Sequence, residues 1–123
     1  MARRVAVIAG CRTPLDPRGT ALNYLWVETV TTLADADGIV AFLQANGLPA
    51  VAVPRSKVDI ATARAKNERN WEVVLLEGIP SNEYRASATR RRALEDRVKA
   101  LGQQLAKEGL SAFNLSSPPW KKY

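Results

Sequence analysis

"NYLWVETVTTL", residues 23–33, decides how this chain folds. Tyr, Trp, Val and Thr crowd the stretch, and aromatic and β-branched side chains fit a pleated surface better than a helix. Alternation would put Tyr24, Trp26, Glu28, Val30 and Thr32 on one face. We therefore read a strand, paired with an earlier one at residues 3–9. A helix is the alternative, because Leu22, Leu25, Trp26, Glu28, Thr29 and Leu33 also trace a loose helical stripe. If the strand reading holds, the chain is a sheet protein and its helices must find a sheet face to cover.

The segments on either side extend that reading. Residues 3–9 are apolar from Val5 onward and end at Gly10, as a strand buried on both faces would. "CRTPLDPRGT", residues 11–20, is broken by two prolines and reads as a loop. "DADGIVAFLQANG", residues 35–47, predicts a helix with Asp35 as its cap, a buried stripe of Ile39, Val40, Phe42 and Leu43, and a stop at Asn46-Gly47. "LPAVAVP", residues 48–54, is a short strand between prolines. Residues 56–78 read as a hairpin, with Val58, Ile60 and Thr62 alternating in its first arm, "KNERN" as its turn and "WEVVLLEG" as a central strand.

Residues 79–109 hold the longest helix. Ser81 or Asn82 could cap it, and Tyr84, Ala88, Arg91, Leu94, Val98, Leu101 and Leu105 step at intervals of three and four, with Gly109 as the stop. "LSAFNL" reads as a last strand and "SSPPWKKY" as a tail. The expectation is an α+β fold with one mixed or antiparallel sheet and two main helices, mostly on one face, in the order β-β-α-β-β-β-α-β. Residues 1–117 would form a single domain and residues 118–123 an aromatic, basic C-terminal tail.

Composition narrows the chemistry. The 123 residues, 46% hydrophobic and 24% charged, suit one globular core. No apolar run approaches the roughly 20 residues that cross a bilayer, and residues 5–9 are too few for a secretory core, so a protein made in the cytoplasm is expected. There is no histidine and one cysteine, Cys11. That removes Ser-His and Cys-His nucleophile pairs and every zinc site built from those ligands. Cys11 reads as a small side chain at a strand end. Neither glycine-rich phosphate motif occurs, so no cofactor is expected. Asp16, Asp59, Glu72 and Glu77 could converge on a divalent ion, as in nucleases, but their spacing matches no motif, and surface charges at strand ends are the simpler reading.

The net charge of +6, from 18 basic and 12 acidic residues, favours anionic partners. The long helix concentrates it: Arg85, Arg90, Arg91, Arg92, Arg97, Lys99 and Lys107 face only Glu95 and Asp96. Arg85, Arg92 and Lys99, seven apart, would form one ridge. The tail sets Trp120 and Tyr123 beside Lys121 and Lys122. Arg85, Arg90, Arg91, Arg92, Lys99, Trp120, Lys121, Lys122 and Tyr123 are thus the candidate interface residues, for protein or for nucleic acid.

Two resemblances follow. "RVAVIAGCRTP" with "RGTAL" resembles the first strand and loop of thiolases over about 30 residues, but the histidine and second cysteine of that chemistry are missing, so the likeness implies no such activity. Residues 36–108, with a helix, "LPAVAV", a hairpin, "WEVVLLEGIP" and a second helix, resemble in element order the tail-terminator and neck subunits of tailed bacteriophages. That resemblance implies a non-enzymatic subunit of a virion that self-associates and meets other protein subunits. The alternatives are a basic nucleic-acid-binding domain using Arg85, Arg90, Arg91, Arg92 and the tail, and a metal-dependent nuclease using Asp59, Glu72 and Glu77.

Overall fold

The computed structural model describes residues 16–107 and 120–123, apart from the Ala106 side chain. The deciding stretch is a strand, β1, Asn23–Val30. It stops there because Thr32 turns extended and caps the helix that follows, α1, Leu33–Ala45. Next come β2 (Ala50–Pro54), a short α2 (Ile60–Ala65), β3 (Trp71–Leu75), a 3-10 turn (Ser81–Glu83), α3 (Ala88–Lys107) and β4 (Trp120–Lys122). The sheet order is β2-β3-β1-β4, and every neighbouring pair is antiparallel. Leaving α2 aside, this is the split β-α-β-β-α-β arrangement, with the partner of β1 inserted between it and β2. The fold is α+β, as the sequence implied, and β3 is central, as its apolar run implied.

Alternation along the strands divides the core in two. Leu25, Val27, Ala50, Ala52, Trp71, Val73 and Leu75 meet Ala36, Ile39 and Leu43 of α1 and Val98, Leu101 and Leu105 of α3. Both long helices therefore cover one face of the sheet. Each fully buried Leu or Ile there contributes roughly 1.5–3 kcal/mol of transfer free energy. Tyr24, Val51, Val53 and Val74 point to the opposite face, where Ile60 of α2 joins them. Since Ala63 sits in the first cluster and Ile60 in the second, α2 spans the β2 edge. Arg64 of α2 forks onto Asp37 of α1 at 2.9 and 3.0 Å.

Five expectations need correction. The first arm of the predicted hairpin is α2: Asp59 accepts from the Thr62 backbone N–H at 3.0 Å and starts a helical turn where alternation suggested a strand. The order consequently has a helix in place of a strand at that point. Thr32, not Asp35, caps α1, accepting from the Asp35 N–H at 3.2 Å. Neither Ser81 nor Asn82 caps the long helix. They lie in the 3-10 turn, and the regular helix starts at Ala88, which leaves Arg85 outside it. Finally, the face predicted for β1 breaks after Trp26, where the register against β3 shifts by one residue, and Thr32 falls outside the strand. The glycine stop of α1 is as expected, with Gly47 at φ +82°. The predicted strand at residues 3–9, its pairing with β1, Cys11, the strand "LSAFNL" and the Gly109 stop lie outside the described residues.

Candidate functional site

The structure separates the nine predicted interface residues. Arg90 pairs with Glu77 at 3.0 Å. Arg91 lies 3.7 Å over the Tyr84 ring and donates to the Tyr84 carbonyl at 2.9 Å, so its planar head is engaged locally. Arg97 donates to the Asn46 carbonyl and closes the end of α1. Arg85, Arg92 and Lys99 are exposed and make no ion pair among the described residues. With Arg85 off the helix, the outward ridge reads Arg92, Asp96, Lys99, a mixed pattern with the acid one turn from both cations.

The last four residues are built into the sheet. Trp120 pairs with Leu25, leans on the helix-side core and donates its indole N–H to Glu95 of α3 at 2.7 Å. Lys122 is exposed. Lys121 and Tyr123 lie on the other face: the Lys121 ammonium stands 4.4 Å from the Trp26 ring centroid, and Tyr123 stacks on Trp26 at 5.2 Å and tilts against Tyr24 at 5.9 Å. These two therefore do not share a patch with the basic helix.

Tyr123 instead forms part of a cleft of about 440 Å³ at one end of the sheet face opposite the two long helices, which sequence reasoning did not assemble. Asp16 and Arg18 form one wall, the turn after β2 (Arg55, Ser56, Lys57, Asp59) the other, and Glu72 and Tyr123 also line it. Most of its charges are committed. Arg18 forks onto Asp16, with the closest contact 2.7 Å, and donates to the Ser56 carbonyl at 3.1 Å. The guanidinium holds the Asp16 carboxyl below the usual range. Asp59 is lowered by its hydrogen bonds from Thr62 while it caps α2. Ser56 donates to Glu68 at 2.7 Å.

Glu72 is different. It is the one buried charged residue among those described, 9% exposed, and the second residue of an otherwise apolar strand. Its nearest partners are the Tyr123 hydroxyl, which donates at 3.4 Å, and Arg55 at 3.7 Å. Both are longer than the roughly 2.7–2.9 Å of a well-made charge-assisted bond. Burial raises the Glu72 carboxyl above its usual 4.5, against the opposing pull of Arg55, Tyr123 and Lys121. Tyr123 is pushed up in turn by its own burial and by the carboxylate beside it. The sequence signal was the lone acid inside "WEVVLL". Of the four carboxylates considered for a metal, Asp16, Asp59 and Glu72 line this cleft, while Glu77 turns away to Arg90. Among the described residues no three His, Cys, Asp or Glu side chains are grouped to hold a metal ion, and no helix is long and apolar enough to cross a membrane.

No known protein family, curated protein or solved structure matches this chain.

Proposed function

We propose that this protein is a non-catalytic subunit that works by associating with copies of itself and with other protein subunits. The observation that carries the reading is the outer edge of β4. The Tyr123 N–H bonds to the Leu22 carbonyl at 3.1 Å, and the register pairs Tyr24 with Lys121. In an antiparallel ladder the backbone groups of Trp120 and Lys122 then point away from β1. No strand among the described residues lies beyond them. Such an edge is a ready template for another chain. The mixed ridge Arg92, Asp96, Lys99 supports the same reading, because alternating signs suit a protein surface better than a polyanion. The carboxylates Asp16 and Asp59, tied to structural partners, support a role without catalysis.

A virion tail or neck subunit, with heterologous contacts that close a ring, is the narrower form of this proposal; of the element order behind it the two long helices and the strands at 50–54 and 71–75 remain, with α2 in place of the hairpin's first arm. A second reading, nucleic-acid binding, is favoured by the exposed Arg85, Arg92, Lys99 and Lys122. Light scattering during size exclusion, at low and high salt with the absorbance ratio recorded, separates the two. Self-association predicts a defined oligomer free of nucleic acid that persists in high salt. A 13.5 kDa monomer that sheds nucleic acid as salt rises would replace it with the second reading.

A further inference from the structure

We propose that the cleft between Arg18, Arg55 and Tyr123 is a binding site for a small zwitterion, an α-amino acid with an apolar side chain. This does not depend on the self-association reading. The argument starts from what the cleft leaves unsatisfied. Asp16, Arg18, Ser56 and Asp59 have short hydrogen bonds of their own. Three groups do not. Among the described residues, Glu72 is buried with partners only at 3.4 and 3.7 Å. The Arg55 side chain, its ion-pair partner, is 59% exposed. Lys57 is exposed and makes no ion pair among the described residues. A buried carboxylate left this loosely paired is costly, and a ligand that completes its shell recovers that cost.

The signs determine the ligand. The lining carries three cations, Arg18, Arg55 and Lys57, and three acids, Asp16, Asp59 and Glu72, so neither a simple anion nor a simple cation is favoured. A molecule bearing both charges on adjacent carbons fits the loose Glu72–Arg55 pair. Its dipole can lie antiparallel to theirs, with ammonium against Glu72 and carboxylate against Arg55 and Lys57. The partly exposed Tyr123 ring supplies an apolar wall for the side chain. About 440 Å³ falls within the usual size range of small-ligand pockets.

The test is calorimetric titration of the full chain with L-valine, isovalerate, which lacks the ammonium, and isobutylamine, which lacks the carboxylate. Tryptophan fluorescence, to which Trp26 stacked on Tyr123 contributes beside Trp71 and Trp120, provides a second readout. The expected result is saturable binding of valine alone, weakened about tenfold or more by Glu72→Gln, which keeps the shape but removes the charge. Arg55→Gln, at an exposed position, should weaken it too and gives a second variant should Glu72→Gln fail to fold. Absence of valine binding, equal binding of isovalerate or isobutylamine, or undiminished binding by a folded variant would overturn the proposal.

Discussion

The Trp120 indole N–H donates to the Glu95 carboxylate at 2.7 Å, joining the last strand of the sheet to the middle of its longest helix. Trp120 also faces Leu25 across the ladder, and Leu25 is fully buried. One side chain therefore closes β4 onto both layers. Trp120→Ala should cost about 2–3 kcal/mol, combining lost apolar contact and a lost charge-assisted bond. Trp120→Phe, which keeps most of the contact, should cost about 1 kcal/mol. Urea denaturation of Trp120→Phe, Glu95→Ala and the double variant, beside the parent, forms a cycle. A coupling near zero between Trp120→Phe and Glu95→Ala would mean that the bond does not hold the strand.

The N-cap of α1 offers a sharper contrast. Thr32 accepts from the Asp35 N–H, whereas Asp35 is an exposed first-turn acid with only the helix dipole to favour it. Thr32→Ala should destabilise by about 1 kcal/mol, and Asp35→Ala by about 0.3–1 kcal/mol at low salt and less at high salt. If Asp35→Ala is the costlier change in high salt, the cap has been assigned to the wrong residue.

Those two residues also indicate how much the sequence revealed. The strand at 23–30 was legible because Tyr24, Trp26 and Val27 favour a pleated surface, but its end was not, since Thr32 suits a strand as well as a cap. β3 stood out by its apolar centre, and the buried stripe of α3 followed from Leu94, Val98, Leu101 and Leu105. α2 was missed because six residues make fewer than two turns, too short for a helical period to be visible. The available signal was Asp59 followed by alternating alanines. The cleft was hidden for a different reason: its residues come from positions 16–18, 53–59, 72 and 123, and only the strand order brings them together. Asp16, Asp59, Glu72 and Tyr123 were each named from the sequence, but Glu72 was read as a surface charge at a strand end, and the structure buries it.

Stability should carry the signature of that charge. Glu72 has a folded-state value raised above 4.5, so the folded protein holds its proton more tightly than the unfolded chain. Its contribution is therefore fully present below about pH 4.5 and fades as pH rises through the folded-state value. Asp16 and Asp59 act with the opposite sign. Their values are lowered below 3.8, so their contributions are present above that pH and are lost as it falls. Glu72→Gln should remove the decline above pH 4.5 and leave the acid limb unchanged. Denaturation midpoints measured from pH 3 to pH 8 check this; a variant whose curve runs parallel to that of the parent would show that Glu72 does not set the slope.

Gly78, just past β3, tests how tightly the sheet face opposite the long helices is packed. A Cβ there would lie 2.8 Å from Leu22 Cδ1 and 2.9 Å from Tyr24 Cε1. Leu22 is only partly buried and can swing aside. Tyr24 is 2% exposed, and its hydroxyl lies 3.0 Å from Thr20 Oγ1, so its ring has little freedom. Gly78→Ala should therefore destabilise by about 1–3 kcal/mol through overpacking. Gly19 provides the comparison: it sits at φ +83° with no atom of the described residues within 4 Å of where a Cβ would lie, so Gly19→Ala should cost about 1 kcal/mol from backbone strain alone. Adding Leu22→Ala to Gly78→Ala should relieve only part of the loss, because the Tyr24 contact persists. Full relief would mean that Leu22 alone is the obstacle and that the Tyr24 ring can yield.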